Sequence, residues 1–240
     1  MKRFALITGA SGGIGKAVAR ELAGNGYNLY LHYNSNETVV KELIEELGQY
    51  GGDYVPIFAD FSSAGGYKPL LSSVLNLDTI IHCSGNSVYG LLQDLSDQEL
   101  QYLFNIHVMN PILLTRSLLP KLLIKKSGSI IMVSSIWGQS GAACESAYSA
   151  AKGAQLSFVK ALGKELALSG IRVNAIAPGA VNTSMLESFS PEELDAIAVD
   201  IPMGRLAQPE DIAKGIAFLI SDSASYITGQ VLPINGGWYT

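Results

Sequence analysis

"RFALITGASGGIGKAVAREL", residues 3–22, decides how the rest of the chain is read. An apolar, β-prone run, Arg3–Thr8, stops at Gly9, and an apolar pattern of helical spacing begins just past Gly13 and Gly15. Glycine lets a backbone approach a ligand closely. A helix start offers unpaired N–H groups and the positive end of the helix dipole. Strand, glycine turn and helix in this order suit the pyrophosphate of a dinucleotide. The spacing is T-G-x-x-x-G-x-G, which differs from the common G-x-G-x-x-G fingerprint.

Working outward, short β-branched or aromatic runs alternate with helical patterns. Strands are expected at Arg3–Thr8, Asn28–Tyr33, Tyr54–Ala59, Thr79–Cys83, Ser129–Ser134, Arg172–Ala177 and Val231–Ile234. Helices are expected near 14–25, 37–50, 67–75, 97–119, 143–168 and 209–221. The alternation predicts an α/β fold: a Rossmann-like, doubly wound parallel sheet of about seven strands with helices on both faces. No repeat or Pro/Gly-rich linker divides the chain, so one domain over 1–240 is expected. Ser96 with Glu99 reads as a capping box. The connection from about 183 to 206 is long for a compact domain and reads as a mobile lid over a site.

Composition narrows the function. The chain of 240 residues is 48% hydrophobic and 15% charged, enough for a large core. Its net charge of −5, with one short basic cluster from Lys121 to Lys126, argues against nucleic-acid binding. Cys83 and Cys144 lack a ligand pattern and read as free thiols in a reducing compartment. The apolar run after Lys2 and Arg3 is too short for a signal peptide, and no stretch is long enough to span a bilayer. A cytoplasmic protein without a membrane partner is the expectation.

An NAD enzyme tends to carry an acidic residue at the end of its second strand, to bond the ribose 2′-OH. Here Tyr33 and Asn34 stand there, and Asn34, Ser35 and Asn36 can donate to a 2′-phosphate. That favours NADP over NAD, although no arginine is present to pair with the phosphate. Tyr148 and Lys152 are spaced i, i+4 on a helical pattern and share a face. A free tyrosine titrates near pH 10, and a cation one turn away favours its phenolate. Such tuning suits a proton donor. Ser135 falls at a strand end, where open α/β sheets place ligands. Alone, a Y-x-x-x-K pair is an ordinary solvated face; beside the glycine turn and Ser135 it is specific.

These motifs together resemble the short-chain dehydrogenase/reductase family over essentially the whole chain. The resemblance rests on "TGASGGIG" (8–15), Asp60, Ser135, Tyr148, Lys152, "APGAVNTSM" (177–185) and "YITGQVLPINGG" (226–237). Within the family the chain looks most similar to 3-oxoacyl-[acyl-carrier-protein] reductases, which implies NADPH-dependent reduction of a 3-oxoacyl thioester in fatty-acid assembly. The resemblance assigns proton donation to Tyr148, ribose binding and tuning of Tyr148 to Lys152, and carbonyl binding to Ser135. It implies cofactor contacts by Gly9, Ser11, Gly12, Gly13, Ile14, Gly15, Asp60, Phe61, Ser84, Gly85, Tyr148 and Lys152. The loop with Pro178, Gly179, Val181 and Thr183 would meet the carboxamide. It also implies a homo-oligomer, tetramer or dimer, and a carrier-protein dock in which Lys125 and Lys126 form a basic patch beside the active-site mouth. Ser169 stands where other members carry arginine.

Two departures stand out. Where the family reads Asn-Asn-Ala-Gly, this chain reads His82-Cys83-Ser84-Gly85, losing asparagine bonds that brace neighbouring strands. His107, on residues alone a core histidine of an apolar helix, aligns with an active-site asparagine whose main-chain carbonyl holds a relay water. Pro111 lacks an N–H and frees the carbonyl four residues back, that of His107. The expectation is that the backbone keeps the relay, with the imidazole as a further catalytic candidate. Other readings are an oxidoreductase of a small ketone, alcohol or sugar, and a non-catalytic dinucleotide-binding sensor. A nucleotide-sugar epimerase is disfavoured, since too little chain follows Tyr148 for a second lobe.

Overall fold

Strands buried on both faces read as unbroken apolar runs, and Ala5, Leu6 and Ile7 have no exposed surface. The computed structural model describes residues 2–187 and 189–240. Its strands are β1 (Arg3–Thr8), β2 (Tyr27–Tyr33), β3 (Tyr54–Phe58), β4 (Thr79–His82), β5 (Gly128–Val133), β6 (Ile171–Pro178) and β7 (Val231–Ile234). They form one parallel sheet in the order β3-β2-β1-β4-β5-β6-β7. The order reverses between β1 and β4, which opens a crevice at the carboxyl ends of those strands.

Helices cover both faces, as the alternation predicts. One face packs α1 (Gly13–Gly24), α2 (Glu37–Leu47) and α9 (Pro209–Ile220) through residues such as Leu22, Leu43 and Ile216. The other packs α3 (Lys68–Ser73), α5 (Asn110–Lys125) and α7 (Ser146–Leu166) through Leu70, Leu118 and Val159. The helix expected over 97–119 is three pieces: α4 (Asp97–Phe104), a π-helical turn (Asn105–Met109) and α5. The Ser96–Glu99 capping box opens α4, and Pro111 sits in the first turn of α5, where its missing N–H disturbs least.

Two helices lie outside the expected spans, although Pro191 after Ser190 reads as the first turn of one of them. They are α6 (Trp137–Ser140), a single turn, and α8 (Pro191–Asp200), which buries no residue fully. The second lies inside the 183–206 segment and starts with a Ser190–Glu193 capping box and Pro191. Among the described residues no helix is long and apolar enough to cross a membrane.

The lost asparagine brace is replaced. His82 Nε2 meets Thr115 Oγ1 at 2.9 Å, and Thr8 Oγ1 accepts the amides of Cys83 and Ser84 at 3.2 Å each. All three histidines of the chain are buried. Burial pulls His32 down to about 4 and His82 and His107 to about 3, so each is neutral in the folded chain. In the unfolded chain they titrate near the ordinary value of about 6.5. Stability from these groups is therefore complete above pH 6.5 and is lost as pH falls from 6.5 toward 4 for His32 and toward 3 for His82 and His107. At pH 5 the loss is about 2 kcal/mol per histidine. Urea titrations from pH 7.5 to 5 are expected to show unfolding that takes up close to one proton per histidine. A flat profile would contradict the burial of the three neutral rings.

Candidate active site

The crevice begins with the turn after β1. Gly9 adopts φ +69°, and a Cβ there would lie 2.8 Å from the Ser84 Cα. A Cβ on Gly15 would collide with the Gly9 carbonyl, so only glycine lets α1 start this close to β1. Gly12 caps α1 without a side chain, and among the described residues the amides of Ser11, Gly13, Ile14 and Gly15 find no acceptor. Four unpaired N–H groups at a helix start fit a pyrophosphate. Gly13 closes on Thr183: a Cβ there would stand 2.5 Å from the Thr183 methyl.

Other candidate cofactor residues line the same edge of the sheet. Asn34 and Ser35 are exposed after β2. Asp60 follows β3 and accepts the Ser62 amide at 2.8 Å. Phe61 points inward and stacks on His32, so its side chain belongs to the core. Gly85 packs against the His107 ring, since a Cβ would meet His107 Cε1 at 2.5 Å. Pro178 ends β6 and accepts the Ile136 amide, Gly179 is bonded to Ile234, and Val181 bridges to Ala207.

The chain brings Ser135, Tyr148, Lys152 and His107 together. Ser135 follows β5, and its Oγ accepts the Trp137 amide at 3.1 Å, which fixes the hydroxyl at the start of α6. The Ser135 side chain faces the Tyr148 hydroxyl and opposes the rise of its pKa. The His107 ring meets the Tyr148 ring edge-on, with centroids 5.4 Å apart. Lys152 is buried; Nζ donates to the Val133 carbonyl at 2.9 Å and lies 5.4 Å from the Tyr148 ring centre.

The electrostatics differ from the expectation that Lys152 lowers the Tyr148 pKa. Burial and then the Glu145 carboxylate push Tyr148 above its ordinary value, with only Ser135 opposing. Burial pulls Lys152 down to about 7. The reason is position: Lys152 is turned to a main-chain carbonyl and is itself poorly solvated.

The His107 carbonyl also differs from expectation. Pro111 has no N–H to donate to it, and it accepts Gln155 Nε2 at 2.7 Å. Gln155 is buried on α7, three residues beyond Lys152, so the π-helical turn is tied to the helix that carries Tyr148 and Lys152. His107 Nε2 donates to the Asn86 carbonyl at 2.7 Å, which leaves Nδ1 as an acceptor with no partner among the described residues. Sequence reasoning missed Gln155 and also Glu145, which accepts Ser87 Oγ at 2.8 Å. Gln155 had one signal: a polar residue on the inward face of a helix whose neighbours there, Ala151, Leu156 and Val159, are apolar.

The basic patch falls elsewhere. Lys125 pairs with Asp78 at 2.7 Å, and Lys121 donates to the Leu75 carbonyl. Asp78 precedes β4 and Ser169 precedes β6, so the patch sits at the amino-terminal edge of the sheet, across the molecule from Tyr148. Within one chain it is not beside the active-site mouth, because a parallel strand separates its two ends by its full length.

A family model described as enoyl-(acyl carrier protein) reductase matches residues 9–239. An uncharacterized oxidoreductase of Bacillus subtilis, YmfI, is 54% identical, with all of both chains covered. The 3-oxoacyl-[acyl-carrier-protein] reductase FabG of Staphylococcus aureus is 34% identical over all of this chain and 99% of its own length. A crystal structure assigned as an NAD(P)-dependent gluconate 5-dehydrogenase from Beutenbergia cavernae, with bound NADP at low occupancy, superposes with a TM-score of 0.93. It is 31% identical and covers 98% of this chain and 96% of its own.

The geometry separates the roles of ring and backbone at position 107. Tyr148→Phe is expected to lower turnover of a ketone about 10²–10⁴-fold, as loss of a proton donor does. His107→Asn and His107→Ala are expected to stay well above that level, because the carbonyl bound by Gln155 is retained. Steady-state rates decide it: a His107→Ala enzyme as inactive as Tyr148→Phe would show that the imidazole itself is required.

Proposed function

The chain belongs to the short-chain dehydrogenase/reductase family of NAD(P)-dependent oxidoreductases, and on that premise we propose that it is an NADPH-dependent reductase of 3-oxoacyl thioesters. One observation carries the reading: Ser135, Tyr148 and Lys152 meet at the strand end that faces a glycine turn with four unpaired amides. NADPH supplies the hydride. The Ser135 hydroxyl and the Tyr148 hydroxyl hold the substrate carbonyl oxygen, and the Tyr148 proton passes to that oxygen to complete the alcohol. The phenolate left behind is high in energy in its buried setting until a proton returns. Lys152, titrating at about 7, is suited to supply it at cellular pH.

Cofactor preference follows from the loop after β2. No carboxylate takes the place that would bond the ribose 2′-OH; Glu37, further on, is held by Lys41 at 2.9 Å. Asn34 and Ser35 are free to donate to a 2′-phosphate.

For the substrate, the side chains around Tyr148 favour an acyl group. Leu103 and Ala147 are buried against it, and Val88, Leu95, Leu100 and Trp137 pack around them. An apolar wall of this kind rewards hydrocarbon over a polyhydroxylated chain. The polar Ser87–Glu145 pair favours a second reading, a keto-sugar substrate, since both groups bond hydroxyls.

We also assign a single functional unit over 1–240, with 183–206 as its lid, in a cytoplasmic homo-oligomer, tetramer or dimer. On α7, Ala150, Ala154, Ser157 and Ala161 form an outward strip of small residues. Exposed Phe104 and Met109 lie on the neighbouring α4 and π-helical turn.

Cofactor oxidation with NADPH and NADH over a panel of ketones tests the proposal. NADPH is expected to be preferred, and an acetoacetyl thioester to be reduced faster than a matched simple ketone or a 5-keto sugar acid. A clear preference for either of the latter would overturn the thioester reading while leaving the reductase intact.

A further inference from the structure

β1 and β3 are not neighbours in the sheet; β2 lies between them. Their ends are nevertheless linked through one side chain of β2. His32 Nδ1 accepts the Gly9 amide at 3.1 Å, and the His32 main-chain carbonyl accepts the Ala10 amide at 2.8 Å. On the far side, Nε2 meets the Ala59 carbonyl at 2.9 Å. The ring stacks on Phe61, with centroids 4.4 Å apart and planes 19° from parallel. Ser84 Oγ, from the loop after β4, lies 3.4 Å from Nδ1.

Both ring bonds form only with the neutral tautomer that carries its proton on Nε2. That nitrogen then donates to Ala59, and Nδ1 offers its lone pair to Gly9. An apolar side chain at this place would leave the Gly9 N–H and the Ala59 carbonyl without these partners, which destabilises their arrangement. The imidazole therefore fixes how far the glycine turn stands from the corner after β3.

Each partner of His32 adjoins a residue that would hold the dinucleotide. Gly9 opens the turn with the unpaired amides, Ala59 precedes Asp60, and Ser84 precedes Gly85. We infer that His32 is a positioning residue for the cofactor: it sets the spacing of the glycine turn and the Ala59–Phe61 corner, and with it the affinity for NADPH. The inference rests on the dinucleotide-binding reading given under Proposed function.

The test is direct NADPH binding, followed by fluorescence or calorimetry. His32→Phe keeps a ring on Phe61 and removes both hydrogen bonds. It is expected to weaken NADPH binding about tenfold or more, the equivalent of one buried hydrogen bond. The change should appear in the KM for NADPH far more than in kcat. His32→Gln, which can both donate and accept, should restore part of the affinity. Should the phenylalanine variant fail to fold, His32→Leu takes its place.

Leu77→Ala controls for instability alone. Leu77 is fully buried before β4, at the opposite edge of the sheet. It should lower the melting temperature and leave NADPH affinity as it was. Folded His32→Phe or His32→Leu protein that binds NADPH like the wild type overturns the inference, as does an equal loss in Leu77→Ala. Wild-type protein that binds neither NADPH nor NADH would overturn the dinucleotide reading with it.

Discussion

The approach of Gly15 to Gly9 is the contact on which the rest of the site depends. It is possible only because Gly15 has no Cβ, and it starts α1 almost on top of the end of β1. Two consequences follow. The first turn of α1 opens at Gly12 without a side-chain cap, so among the described residues its amides stay unpaired. And α1 is pressed onto the sheet, where Val18 and Leu22 join the core shared with α2 and α9. The same geometry thus builds one apolar layer and leaves a concentrated partial positive charge at the switch point between β1 and β4.

The buried histidines gather around that crevice, while Asn28, Thr79 and Ser129 are buried at the other ends of their strands. Each of the three histidines sits within one residue of a strand end or in the π-helical turn, and each holds a partner that a hydrocarbon side chain would leave unbonded. Their neutrality matters for the chemistry. A charged ring near Lys152 would depress the lysine further, and Lys152 is already brought down to about 7 by burial. Neutral rings therefore leave Lys152 as the main titrating cation beside Tyr148. The cost is sensitivity to acid, because each ring must bind a proton once it is exposed.

Much of this was legible in the sequence because it rests on local patterns. Seven strands show as β-branched runs, and all seven occur within two residues of where the runs predict them. The glycine turn and the Tyr148–Lys152 spacing survive in one dimension because strand, turn and helix are contiguous. What was not legible depends on side chains meeting across the fold. Gln155 is ordinary in a helix until His107 is seen opposite it. The replacement of the asparagine brace needs Thr115 and Thr8, which are far from His82 in the chain. Lys125 and Lys126 look like a dock until Asp78 and the direction of β4 place them at the wrong edge. Of the helix α8 only the start was legible, through Ser190 and Pro191, since it buries none of its residues fully.

If Tyr148 gives up its proton as proposed, the pairing of His107 with Gln155 bears on how it is restored. A main-chain carbonyl has two lone pairs, and Gln155 occupies one. The ring beside it offers a further acceptor, since Nδ1 is buried without a partner, and Gln155 Oε1 and Asn86 Oδ1 are unpartnered too. Three acceptors without donors in one region are costly unless donors reach them. Water satisfies acceptors of this kind at small entropic cost and can pass protons between them. The side chains at 107 and 155 therefore change which atoms would hold a proton path next to Lys152, while Pro111 still withholds an N–H from the His107 carbonyl.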